Sequence, residues 1–165
     1  MNIRKEYKFY YAHRNQELTG TRCSRIHGHD CHLFLYFDVK RNGAISTLFN
    51  DFDIKIEPFL KKEFDHSILI DVNDRLYDTL REHERNTGED LGLNVIPFPT
   101  SVENTCFYLA YRIISDFGFD LNRIEYQETR SSIVTYTRND YQKDYSSGMG
   151  EILYDFMKEK IVNEK

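Results

Sequence analysis

Two stretches near the start of the chain alternate apolar and polar positions with the period of a β-strand. Residues 5–13 put Tyr7, Phe9, Tyr11 and His13 on one face, and residues 27–40 put His29, Cys31, Leu33, Leu35, Phe37 and Val39 on one face. The polar stretch 14–26 between them reads as a loop. From Phe52 the period lengthens, and Phe52, Ile56, Phe59, Leu60 and Phe64 follow helical spacing. Pro58 interrupts that pattern, so the helix either starts near Glu57 with Pro58 in its first turn or kinks there. Residues 71–98 are charged and poor in large apolar side chains, which predicts an inserted surface segment with a short exposed helix over 75–85. A second buried helix is expected after Pro99. Thr100 and Glu103 have the spacing of a capping box, Val102, Cys106, Leu109, Ala110, Ile113 and Phe117 form its stripe, and Gly118 suits its C-terminal turn. Ile124, Tyr126 and Glu128 then alternate in a strand, and 133–138 predicts one more. Residues 149–163 are weakly amphipathic and predict a terminal helix, its Glu- and Lys-rich positions forming a solvated face.

The predicted order is β-β-α-(insert)-α-β-β. Two strand pairs with helices between them imply an α+β fold, an antiparallel sheet with two helices on one face. Residues 1–140 are expected to form a single domain, with 71–98 inserted in it and 141–165 a C-terminal extension. Composition adds little to this beyond exclusions. The chain has 165 residues, a net charge of −5 and no basic stripe, which argues against a nucleic-acid partner. No apolar run is long enough to span a membrane, and the start of the chain has no apolar signal core. Three cysteines form no paired framework, and reduced thiols in the cytoplasm are the plain expectation.

The chemistry concentrates in Cys23-Ser-Arg-Ile-His27-Gly-His29. His27 and His29 leave the same face of a strand. If the first two strands pair antiparallel, His13 at the end of one lies beside them at the start of the other. Three imidazoles with an open fourth position are the donor set of a catalytic zinc site. Cys23 is then either a thiol of lowered pKa serving as general base or a fourth ligand that closes the metal, and spacing alone leaves both open. Cys31 reads as a buried structural thiol. Asp65-His66 forms a candidate proton relay, although neighbours in sequence do not easily bond through their side chains, and alone the pair reads as a solvated helix end. Glu128, a carboxylate on an apolar strand face, needs donors from protein or ligand. On its own it reads as a strand-end residue at the rim. His32 and His83 are assigned to surface or structural roles.

Taken together, Ala12-His13, Cys23 with His27-Gly28-His29, Asp51-Phe52, Asp65-His66, Pro99-Thr100-Ser101-Val102-Glu103-Asn104 and Glu128-Thr129 resemble, in order and spacing, the 6-pyruvoyl-tetrahydropterin synthase / 6-carboxytetrahydropterin synthase family. The resemblance implies the tunnelling fold (T-fold), with strands closing into an oligomeric barrel, and a homohexamer built as a dimer of trimers. It implies Zn²⁺ on His13, His27 and His29, Cys23 as general base, Asp65 and His66 as relay, and Glu128 as anchor of the pterin ring, with Thr100 and Ser101 lining its pocket. The implied substrate is 7,8-dihydroneopterin triphosphate. The short gap from Cys23 to His27 resembles the branch that makes 6-carboxy-5,6,7,8-tetrahydropterin, acetaldehyde and triphosphate for queuosine and other 7-deazaguanines. The alternatives are the pyruvoyl branch and a non-catalytic zinc or pterin-binding member of the fold. Thr47-Leu48-Phe49-Asn50 before Asp51-Phe52 departs from the family pattern, as do Cys31 and the long insert.

Overall fold

The computed structural model describes residues 1–43 and 47–163, without the side chains of 161–163; residues 164–165 of the C-terminal extension lie outside it. Strands β1 (Asn2–His13) and β2 (His27–Asp38) form a long antiparallel pair in which Tyr11 stands opposite His29 and His13 opposite His27. Their alternation continues into burial. Tyr7, Phe9, Tyr11, Cys31, Leu33, Leu35 and Phe37 enter the core. Strands β5 (Leu121–Thr129) and β6 (Ser132–Thr137) extend the sheet antiparallel from β2.

The end of the 71–98 segment, together with the residues just before it, lengthens the sheet on its other side. β3 (Ser67–Asp71) pairs parallel with β1, and β4 (Leu93–Ile96) pairs parallel with β3, giving the order β4-β3-β1-β2-β5-β6. The sheet is therefore mixed. Only the crossover helix α2 (Tyr77–Thr87) matches the exposed reading, with no buried residue. The strands escaped notice because they are short and carry runs without clean alternation, as expected of strands packed within a parallel unit. Gly88, with φ 72°, ends α2 in the left-handed region that favours glycine.

Helix α1 (Phe49–Glu63) starts eight residues before Glu57 and passes through Pro58. Pro58 is exposed, so the hydrogen bond it cannot donate belongs to the solvent face. The opposite face buries Phe52, Ile56, Phe59 and Leu60, and Asp51 Oδ2 accepts from the Leu48 amide at the start. Helix α3 (Val102–Ser115) is buried over most of its circumference. Its cap is Ser101, whose hydroxyl accepts from the Asn104 amide, one residue later than the Thr100–Glu103 spacing suggested. After β6, the Thr137–Asp140 capping box starts α4 (Arg138–Asp144), and a π-type turn with Gly148 at φ 106° leads into α5 (Gly150–Asn163). α5 is more than a solvated face, because Leu153 is wholly buried in the core and Phe156 and Met157 pack against it. No helix among the described residues is long and apolar enough to cross a membrane.

Candidate metal centre and ligand pocket

The β1–β2 register brings three imidazoles to one end of the core face. The ring centroids of His13, His27 and His29 lie 4.6, 4.8 and 5.0 Å apart, and one nitrogen from each falls within 4.8 Å of the others. Gly28 between His27 and His29 faces the Tyr11 carbonyl, 3.5 Å from where a Cβ would stand. Backbone carbonyls fix two of the rings. The His13 Nδ1 lies 2.9 Å from Thr100 O, and the His27 Nδ1 lies 2.7 Å from Arg25 O. Each contact places the proton on Nδ1 and leaves Nε2 as a lone-pair donor, the arrangement that orients metal-binding histidines. Burial, opposed by Glu128 and helped by His27 and His29, pushes His13 down to about 4, so its ring is neutral at neutral pH.

Glu128 closes one side of this group from β5. Its Oε1 accepts from the Tyr11 hydroxyl at 2.6 Å and stands 3.6 Å from both His13 Nε2 and His29 Nε2. Burial and the Glu128 carboxylate raise the Tyr11 pKa, so the phenol stays a donor. Sequence reasoning missed Tyr11, although its place two residues before His13 on the same strand face carried the signal. The Thr100 carbonyl left no such signal.

A metal fits these residues on one further observation. His29 Nε2 is buried and without a hydrogen-bond partner, a costly condition for a ring nitrogen unless it coordinates an ion. Three neutral imidazoles suit zinc or a similar divalent transition metal. Among the described residues, this is the group of three histidine, cysteine or acidic side chains close enough to hold an ion.

The other predicted residues lie elsewhere. Cys23 sits exposed in a 3-10 turn (Arg22–Ser24), its carbonyl accepting from the Asn15 amide, and does not join the histidine group. Cys31 is buried, and burial pushes its thiol up to about 12, so it is a protonated core residue. Thr100 is buried with its hydroxyl donating to Arg14 O at 2.6 Å, and Ser101 caps α3. Both hydroxyls therefore hold the end of β1 and the start of α3.

Asp65 and His66 follow α1 at the turn into β3. Their side chains do meet, against expectation: Asp65 Oδ1 lies 3.1 Å from His66 Nδ1. The cause is the backbone. His66 has φ 59°, which swings its side chain back toward its neighbour. Gly92 packs against this turn, and a Cβ there would stand 3.2 Å from the His66 carbonyl. Asp65 Oδ1 also accepts from the Tyr10 amide, and the His66 ring lies 6.1 Å from that of Tyr10, on the sheet face opposite the three histidines. Beside it, an open pocket of about 470 Å³ is lined by Tyr10, Ala12, Gly28, His66 and Ile68 and also by Tyr11 and His29, so it reaches the edge of the histidine group.

With this geometry in view, the comparisons with known proteins are specific. A family model described as 6-pyruvoyl tetrahydropterin synthase matches residues 2–139. The chain belongs to that family. The match stops short of α5, which lies beyond the family's domain. No curated protein sequence matches. Among solved structures, an uncharacterized protein from Wolinella succinogenes is similar with 21% identity and a TM-score of 0.68, over 84% of this chain and 98% of that one. 6-Pyruvoyl tetrahydropterin synthase from Caenorhabditis elegans is similar at 17% identity and TM-score 0.57, over 83% of this chain and 94% of that one. The Plasmodium vivax 6-pyruvoyl tetrahydropterin synthase gives 16% identity and 0.60, over 84% and 98%. These likenesses establish the shared fold, a curled mixed sheet with helices on one face.

Proposed function

We propose that this chain is a zinc-dependent lyase that converts 7,8-dihydroneopterin triphosphate to 6-carboxytetrahydropterin, acetaldehyde and triphosphate. The observation that carries this reading is the convergence of His13, His27 and His29 with Glu128 held beside them by Tyr11. His13, His27 and His29 would hold the zinc, which when bound would supply Lewis-acid polarisation of the substrate's side-chain hydroxyls. Glu128 keeps Oε1 on Tyr11 and turns its remaining acceptor to the paired N–H groups of the pterin ring. The Thr100–Ser101 segment forms the neighbouring wall of that pocket. Cys23, in its exposed turn, takes the proton from the substrate side chain.

Asp65 and His66 return and remove protons as the second half of the machinery. Asp65 orients the imidazole through Nδ1, leaving Nε2 to face substrate. Because the His66 side chain is 79% exposed and does not join the three-histidine group, we assign the pair to a neighbouring subunit's histidine centre. This fits a homohexamer working in the cytoplasm. The short spacing from Cys23 to His27 favours the carboxy product. Incubating the zinc-loaded protein with 7,8-dihydroneopterin triphosphate and identifying products by mass tests the proposal. Acetaldehyde with 6-carboxytetrahydropterin is the expected result. A 6-pyruvoyl product would move the chain to the other branch, and absence of turnover by metal-replete protein would refute the catalytic reading.

A further inference from the structure

Residues 14–26, which carry Cys23 between the end of β1 and the start of β2, include no buried residue, and Leu18 and Ile26 stand 46% and 47% exposed. A loop without buried apolar contacts depends on polar bonds for its position. Some of these bonds fold the loop on itself. The Asn15 amide donates to Cys23 O at 2.9 Å, and the Leu18, Thr21, Ser24 and Arg25 amides each donate to the carbonyl three residues back at 3.1–3.4 Å. They make the loop one unit, with Cys23 tied to Asn15. They do not fix where that unit stands.

The attachment comes from the start of the 71–98 segment. Gln16 Nε2 donates to Asn73 O at 2.9 Å, and Gln16 Oε1 accepts from the Arg75 amide at 3.1 Å and from Arg75 Nε at 3.4 Å. Arg14 Nε stands 3.0 Å from Asp74 Oδ2, a close ion pair outside hydrogen-bond geometry, with the Asp74 side chain 1% exposed. The receiving turn is itself well tied. Asp71 Oδ1 accepts from the Asn73 amide at 2.8 Å, Asp74 Oδ1 accepts from the Leu76 amide at 2.8 Å, and the Asp74 amide donates to Asp71 O at 2.9 Å. Asp71 ends β3, whose Leu69 pairs with His13 of β1. The turn is thus fastened to the strand that carries one of the three histidines, and the loop is fastened to the turn. A buried ion pair adds little stability over an apolar pair of the same volume. What it adds together with the Gln16 bonds is a single register, where apolar contacts would let the loop slide.

We propose that Gln16, Arg14 and Asp74 are positioning residues, a clamp by which the 71–98 segment holds the Cys23 loop in one place relative to His13, His27 and His29. The clamp rests on the proposed role of Cys23 in taking the substrate's proton, so its test includes a measurement that needs no turnover. Gln16→Ala deletes the bonds to Asn73 and Arg75 from a half-buried position. In hydrogen exchange of the full zinc-loaded chain, peptides covering 14–26 then exchange about tenfold faster, the scale of one or two neutral hydrogen bonds. Peptides from α3 and the zinc content stay as in the parent chain. With 7,8-dihydroneopterin triphosphate, kcat falls about tenfold or more, the cost of a misplaced reacting group, while KM stays the same. A loosening that left the thiol in place would not separate kcat from KM. Asp74→Asn gives the same pattern more strongly, but it strands the Arg14 cation at a buried position, so Gln16→Ala decides. His83→Ala, which breaks the 2.9 Å contact with Glu89 on the far part of the segment, leaves both measurements as in the parent. Unchanged exchange over 14–26 in Gln16→Ala, equal loosening by His83→Ala, or full kcat in Gln16→Ala beside an active parent overturns the clamp. A parent chain that turns over no substrate refutes the pterin reading instead, and exchange alone then decides whether the segment holds the loop.

Discussion

His13, His27 and His29 stand on the helix-covered face of the sheet, in rows dictated by strand register. Backbone carbonyls pin two of the rings, and a buried, unpartnered nitrogen completes the third. Asp65 and His66 stand at a turn on the other side, joined to each other, with the His66 side chain 79% exposed. The first group is complete within one chain. The second has its orientation built and opens onto a wide pocket at the surface. A half-site that is finished inside one fold depends on that fold's stability. A half-site that opens outward depends on what meets it. Under the proposed function the contrast would separate metal binding from proton transfer, and substitutions should separate them too.

The largest effect is expected at the buried group. If the three histidines hold the metal as proposed, His27→Ala removes one ligand and metal measured by mass spectrometry falls far below one per chain. Turnover falls with it by about a thousandfold, since metal polarisation is worth several kcal/mol and each ~1.4 kcal/mol is a factor of ten. Stoichiometric zinc in that chain would remove His27 from the site. Next, Cys23→Ala and His66→Ala should each lower turnover by about a hundredfold or more with zinc content unchanged, the usual range for a lost general acid or base. Zinc lost with Cys23 would make the thiol a ligand. The exposed pair allows a sharper test. Mixing the Cys23→Ala and His66→Ala chains, unfolded and refolded together, should restore a fraction of activity, because some sites then combine an intact thiol with an intact relay. No recovery would mean that both groups act within one chain.

The unequal legibility of the two groups in the sequence follows from the same contrast. Alternation placed His13, His27 and His29 because strand geometry is periodic and antiparallel pairing joins one strand's end to the next one's start. The resemblance to the family rested on these positions together with Cys23, Asp51-Phe52, Asp65-His66, Pro99–Asn104 and Glu128-Thr129. What alternation could not reach is local backbone conformation. The positive φ of His66, which lets adjacent side chains meet, has no signature in a histidine, a residue that tolerates this region only at some cost. The β3–β4 pair escaped for a related reason. Ser67–Asp71 and Leu93–Ile96 are short, separated by a polar helix, and buried without alternation, so charge density around them outweighed their own apolar content. That miss matters, because Gly92, which packs against the His66 turn, immediately precedes β4.

Tyr11 sets the next test, since it touches Glu128 and not the metal group's own hydrogen bonds. Tyr11→Phe removes the 2.6 Å donor from Oε1 and the hydroxyl that faces the buried Tyr126, while keeping the ring in place. If Glu128 anchors substrate, KM should rise about tenfold or more, the low end of what one hydrogen bond to a charged group is worth, with zinc content unchanged. If Glu128 were instead a ligand, metal affinity would change and KM would follow it.

The smallest effect expected is at Thr100, and it asks how far the buried group relies on its surroundings. The Thr100 carbonyl holds the His13 ring, and its hydroxyl ties the same residue to Arg14 O, one position past His13. Both bonds fasten the end of β1 to the start of α3. Thr100→Val keeps the shape and the carbonyl but removes the hydroxyl donor, leaving the Arg14 carbonyl to find another. The loss should cost about 1 kcal/mol of stability in chemical unfolding. Because the carbonyl remains, zinc affinity should fall by no more than about tenfold, the low end for an outer-shell partner. A much larger loss of zinc would show that the hydroxyl tie, and not the carbonyl alone, sets the angle at which His13 faces the other two rings.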